Sequence, residues 1–143
     1  MPHASRTIVI NRPVTEVFAF FTTPDNDPRW RDQVKDIHAH GEPEAGAVIH
    51  QTIAGPMGRG IAADIEITAY EPSSLYAFQV VAGPARPQGE FQFTPAGDGT
   101  EVSFSLTAEL TGVKKMLMAG AIQKSMDGEM ANLDKAKAIL EGA

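Results

Sequence analysis

The stretch that most constrains this chain lies at its end. From Thr111 to Gly142 there is no proline, and Met118, Ile122, Met126, Met130, Leu133 and Leu140 recur at helical spacing directly behind a long run of strand-like segments. Apolar residues three or four apart share one face of a helix, so the pattern predicts one long amphipathic helix closing a sheet. Met116, Met118, Met126 and Met130, four of the six methionines, fall in its first part. Methionine is a flexible thioether that lines adaptable surfaces better than it fixes a unique core. The expectation is a cavity between helix and sheet.

The size of the chain limits what surrounds that helix. With 143 residues and 43% hydrophobic content, residues 1–143 suffice for a single domain with a real core. A net charge of -6 argues against a nucleic-acid surface, which needs clustered lysine and arginine. The adjacent Lys114 and Lys115 read as a solvated helix start. The absence of cysteine excludes disulfides, thiol nucleophiles and thiolate metal sites together. Met1 to Arg12 holds no apolar signal stretch, and no segment approaches the ~18 apolar residues of a membrane span. A cytoplasmic protein with no stable membrane insertion is expected, and monomer and homodimer are both compatible with the sequence.

Along the chain, Ser5 to Ile10 alternates as an opening strand, which Pro13 ends. Val14, Val17, Phe18 and Phe21 then carry the stripe of a short helix, with proline suited to its start. Thr23-Pro24-Asp25 begins a second helix that Pro28 limits to about one turn, and Trp30, the sole tryptophan, follows it. From Val34 onward, turn residues at 41–46, 55–60, 71–74, 83–87 and 95–99 separate short alternating strands. In the clearest, Gly60 to Tyr70, Ile61, Ala63, Ile65, Ile67 and Ala69 share one face. Polar residues opposite the apolar ones give the sheet one wet face. The class is α+β.

Asn11-Arg12-Pro13 with Val17-Phe18, then Pro24, Pro28 and Trp30, Ile67 before Tyr70-Glu71-Pro72, and the Gly97-Asp98-Gly99-Thr100-Glu101-Val102 hairpin run through nearly the whole chain. In these features it resembles the START-like (Bet v 1-like, SRPBCC) superfamily of polyketide cyclase, dehydrase and lipid-transport proteins. The resemblance implies a helix-grip fold: a curved antiparallel sheet of about seven strands wrapped around the C-terminal helix, two short helices after strand 1, and an apolar cavity with Trp30 at its mouth.

The candidate chemistry is sparse. His3, His38, His40 and His50 make no known metal-ligand spacing, so neither metal nor cofactor is expected. His50 sits mid-strand, where alternation is expected to point it at the concave face. The loop Gly55 to Gly60 lacks the Lys-Ser/Thr end of a phosphate loop and opens a strand, so it reads as a hairpin turn. Asp64 and Glu66 lie opposite the apolar face and are expected to be hydrated; Asp127 and Glu129 are expected near the outer side of the long helix. Arg86, in the 83–87 loop, is expected to be solvated. Gly120 reads as a soft point of the helix and Gly128 as an exposed neutral position.

Three readings of function stay open. The first is non-covalent binding of a hydrophobic small molecule, a lipid, polyketide or other aromatic compound. Its pocket would be lined by Ile65, Ile67, Phe78, Phe91, Phe93, Phe104, Met126 and Met130, with Trp30, His50, Tyr76 and Gln123 orienting the ligand. The second is a cyclase or dehydratase using His50 or Tyr76 for proton transfer in that cavity. The third is a protein-interaction module whose core is filled.

Overall fold

The computed structural model describes residues 2–39, 41–55, 59–83, 86–110 and 112–142, with the backbone alone for 114 and 115. Expectations that touch His40, residues 56–58 of the glycine-rich loop, Thr111 and the side chains of Lys114 and Lys115 lie outside the described residues. Strand β1 (His3–Ile10) buries Ala4, Ile8 and Ile10 on one face. Pro13 stops it and α1 (Val14–Thr22) begins, burying Val17, Phe18, Phe20 and Phe21 as its apolar stripe requires. A 3-10 turn (Pro24–Asn26) leads into α2 (Asp27–Trp30), only four residues long. The Asn26 amide donates to the Phe20 carbonyl at 3.1 Å and so ties the turn back to α1.

Among the described residues seven further strands follow: β2 (Val34–Ala39), β3 (Val48–Ala54), β4 (Gly60–Ala62), β5 (Ile65–Glu71), β6 (Leu75–Val80), β7 (Gln88–Ala96) and β8 (Gly99–Thr107). Seven strands run in the order β1-β8-β7-β6-β5-β3-β2, all pairs antiparallel, and short β4 pairs with β3. Consecutive β1 and β2 thus lie at opposite edges, and α1 and α2 span the distance between them.

The predicted strand from Gly60 to Tyr70 is interrupted at Ala63 and Asp64. Its register continues through the gap, since Thr52 faces Ala62 and Ile49 faces Ile65. At the gap the Ala63 N–H still donates to the Gln51 carbonyl at 2.9 Å, while the Gln51 N–H donates to the Asp64 carboxylate at 3.2 Å.

The predicted terminal helix is one bent rod in three segments, α3 (Val113–Leu117), α4 (Ala119–Ala131) and α5 (Leu133–Gly142). Met118 and Asn132, at the joints, keep right-handed helical backbone angles, so the axis bends without leaving the helix. Leu133, Ala136 and Leu140 of α5 are buried against the sheet, and Arg6 of β1 donates to the Met130 carbonyl at 3.1 Å and pairs with Asp134 at 2.6 Å. At the other end, Val113 and Leu117 are 79% and 81% exposed.

The core divides accordingly. Around α1 and α5 it is solid: Phe18 sits edge-on to Tyr70 and Phe93 with ring centroids 5.3 and 5.1 Å apart. Beneath α4 the aromatic layer continues, with Phe91 stacked on Phe104 at 4.0 Å. There the helix no longer fills the space above it.

Candidate functional site

Between α4 and the concave face of β3 to β8 lies a cavity of about 690 Å³. Most of its wall is apolar: Phe21, Ile65, Phe78, Phe91, Phe104 and Met126 form its body. Ala54, Ala62, Ala121, Lys124 and Ser125 line it and are also exposed, which locates the opening between the β3–β4 hairpin and the first turns of α4. Gly89 leaves room for the Phe78 ring of the wall. A Cβ there would stand 2.2 Å from Phe78 Cζ, because the Phe78 ring lies across its cross-strand partner Gly89.

One end of the cavity is polar, and its construction begins in the four-residue α2. Asp27 and Arg31 stand one turn apart, so both side chains leave the same side. Arg31 Nη1 donates to Asp27 Oδ2 at 3.0 Å and to Gln51 Oε1 at 3.1 Å, while its Nε donates to Glu129 Oε2 at 2.8 Å. Three elements, α2, β3 and α4, therefore meet on one guanidinium. All of these residues line the cavity, with Trp30 and Tyr76 beside them. Arg31, Asp27 and Glu129 expose only 13%, 14% and 11% of their side chains, which makes this a buried ion cluster that loses more if one member is removed than its net worth as a set.

The electrostatics follow from two carboxylates sharing one cation. Burial pushes the Asp27 carboxyl up to about 6, with the neighbouring Glu129 adding to the rise and Arg31 opposing it. The Trp30 indole N–H favours the charged carboxylate slightly but completes no hydrogen bond. Burial by itself would lower Arg31, but Glu129 and Asp27 outweigh it and hold the guanidinium above its ordinary value. Burial, and then the Asp27 charge, push the Tyr76 phenol well above its usual range.

Of the residues proposed from sequence as ligand contacts, Trp30, Ile65, Tyr76, Phe78, Phe91, Phe104 and Met126 line the cavity. Ile67, Phe93 and Met130 are buried in the solid part of the core and do not reach it. His50 points the other way. The inward positions of β3 are Ile49, Gln51 and Ile53, so His50 stands on the outer face, where Nδ1 lies 2.9 Å from Asp64 Oδ2 and its ring 5.4 Å from that of His38. Gln123 sits at the helix edge, bonding the His3 backbone on both sides, N–H to Oε1 at 3.1 Å and Nε2 to carbonyl at 2.7 Å. Arg86 remains exposed, bonded to the Gly83 carbonyl of its own loop. Trp30 is 2% exposed and edge-on to Phe21 at 5.3 Å, so it lies at the polar end and not at the mouth.

The four polar residues of the ion cluster, Asp27, Arg31, Gln51 and Glu129, went unread from sequence as cavity lining, as did Gln33, Lys124 and Ser125. Glu129 had a legible signal, because it falls seven residues after Ile122, three after Met126 and four before Leu133, within the buried stripe. It faces inward and not outward as expected, whereas Asp127 is exposed and accepts from Gln123. Gly128 is also more than a neutral position, since a Cβ there would stand 2.7 Å from Gln33 Nε2; around Gly120 there is open space.

A curled antiparallel sheet gripping a bent C-terminal helix over a cavity defines the helix-grip, START-like class. The sequence matches the model of the polyketide cyclase/dehydrase and lipid transport family over residues 1–137, and the chain belongs to that family. TTHA0849 from Thermus thermophilus superposes with a TM-score of 0.79 at 20% identity, covering 97% of each chain. A START superfamily protein from Mycobacterium smegmatis gives 0.76 at 13% identity, covering 98% of this chain and 97% of that one. Ara h 8.0201 gives 0.64 at 14% identity, covering 92% and 97%. No curated protein matches the sequence.

Proposed function

We propose that this protein binds a hydrophobic small molecule, a lipid, polyketide or other aromatic compound, in the cavity beneath α4. The observation that carries the reading is the cavity itself: about 690 Å³, walled by aromatic and aliphatic side chains, with polar groups gathered at one end. That is the composition of a small-molecule site, where apolar burial supplies affinity and a few polar groups fix orientation. The same volume weighs against an interaction module with a filled core. A cytoplasmic role without a nucleic-acid partner belongs to this reading, in keeping with the net charge of -6. No helix among the described residues is long and apolar enough to cross a membrane.

The test is native mass spectrometry of the protein as purified, which also reads whether it dimerises, followed by titration of delipidated protein with fatty acids and polycyclic aromatics. Saturable one-to-one binding of at least one class is expected. Failure of every class to saturate would overturn the reading.

A second reading, a cyclase-like enzyme, is favoured by one observation: the Asp27 carboxyl lines the cavity and is pushed up to about 6, a value suited to proton transfer near neutrality. The acid or base then moves from His50, on the outer face, to Asp27 with Tyr76 beside it. Loss of turnover of a polyketide-like substrate in Asp27→Asn, with binding retained, would support it; unchanged turnover would remove it.

A further inference from the structure

Among the described residues two buried side-chain polar atoms take no hydrogen bond, Trp30 Nε1 and Glu129 Oε1. Such groups are few in native proteins, and each calls for a partner. Here both belong to the polar end of the cavity: Trp30 is 2% exposed and Glu129 9%, and both line it. Glu129 bonds Arg31 through its other oxygen, and the Trp30 indole acts on the Asp27 carboxylate without completing a bond. The buried unmatched pair is thus an indole donor and a carboxylate acceptor, beside a guanidinium whose bonds leave from Nε and Nη1.

The class of group that answers this pair follows from what each atom offers. The indole N–H donates only, while the Glu129 oxygen only accepts, so a single group that answers both must accept and donate at once. A hydroxyl does both. A carboxylate would satisfy the donor but not Glu129, and it would add a third anion to a buried cluster that already sets two carboxylates against one guanidinium. An ether or a bare hydrocarbon leaves the acceptor unmet. Trp30 Nε1 and Glu129 Oε1 are themselves covered, so a hydroxyl in the cavity engages them through a shift of these wall side chains.

We infer that Trp30 and Glu129, beside Arg31, form an anchor for an uncharged hydroxyl group, phenol or alcohol, at the buried end of an otherwise apolar ligand. The inference rests on the proposed binding function and specifies the chemistry of its ligand.

The test uses three fluorescent probes of one shape: 1-hydroxypyrene, 1-methylpyrene and pyrene-1-carboxylate, titrated into the full chain. The hydroxyl probe is expected to bind about tenfold more tightly than the methyl probe, the effect of a hydrogen bond to a charged buried group. That ratio should fall towards one in Trp30→Phe, which keeps a ring and loses the donor, and in Glu129→Gln, whose amide keeps an oxygen for Arg31 and loses the free acceptor. If one variant fails to fold, the other still reads the ratio. Equal binding of the hydroxyl and methyl probes by the unmodified protein would overturn the anchor and leave hydrophobic binding standing. Tightest binding of the carboxylate would replace the anchor with an anion clamp on Arg31. If none of the three probes saturates, the binding reading falls and the anchor with it.

Discussion

Replacing Asp27 with asparagine isolates the electrostatic cost of the ion cluster. The Asp27 carboxyl is raised to about 6 from an ordinary 3.8, with burial the largest cause. In the unfolded chain it ionises at the ordinary value, so between these two values the unfolded state releases a proton that the folded state keeps. Stability contributed by this group is therefore fully present below pH 3.8 and is lost as pH rises through about 6. At about 1.4 kcal/mol per tenfold change in proton affinity, the loss amounts to about 3 kcal/mol once both states are ionised. Asparagine resembles the protonated acid in size and carries no charge, so the variant lacks this slope. Urea unfolding of both proteins at pH 4, 5, 6 and 7 reads it. The variant's stability relative to the parent should rise by about 2 kcal/mol between pH 4 and pH 7. The difference in slope is diagnostic, since the lost bond to Arg31 shifts the variant's stability at every pH. Parallel curves would refute burial as the dominant influence on Asp27, and a difference that falls with pH would show that Arg31 wins.

Three more predictions probe the cavity. Met126→Phe, adding bulk beside open volume, should change unfolding free energy by less than about 1 kcal/mol and weaken binding of a pyrene probe; clear destabilisation with normal binding would place Met126 in solid core. Gly89→Ala should cost about 1 to 3 kcal/mol in urea unfolding, because the added methyl overlaps the Phe78 ring; wild-type stability would mean that the ring moves aside freely. Trp30 emission should shift on binding, as the sole indole lines the polar end; saturable binding with unchanged emission would put the ligand elsewhere.

Much of the architecture was legible because it repeats. The strands alternate, the helices carry stripes, and Pro13 and Pro24 mark boundaries that the structure respects, whereas Pro28 opens α2 instead of ending a helix and Trp30 lies within it. The body of the cavity wall was legible for the same reason: Ile65, Phe78, Phe91 and Phe104 sit at inward strand positions. What periodicity could not separate was lining from filling. Ile67 and Phe93 obey the same alternation as Ile65 and Phe91, yet they are buried outside the cavity, Phe93 edge-on to Phe18 of α1. His50 was misread by one step of the strand, the smallest error that reverses a side chain. Asp27 and Arg31 were hidden differently: each is an ordinary surface residue type in a helix too short to show a pattern, and only the contact with Glu129, 98 residues from Arg31, makes them a cluster.

The terminal helix is buried unevenly. Its last segment has Leu133 and Ala136 at 0% exposure, whereas its first carries Val113 and Leu117 nearly bare. Local opening is cheapest where little apolar surface is covered, so the two halves of this single rod carry separate duties. The Arg31–Glu129 pair and the Asn132 amide, which donates to Gln33 Oε1 at 2.8 Å, act as a fulcrum between them. On one side the rod is a keystone whose removal would unfold the domain. On the other, at α3, it is a loose end whose opening uncovers little apolar surface.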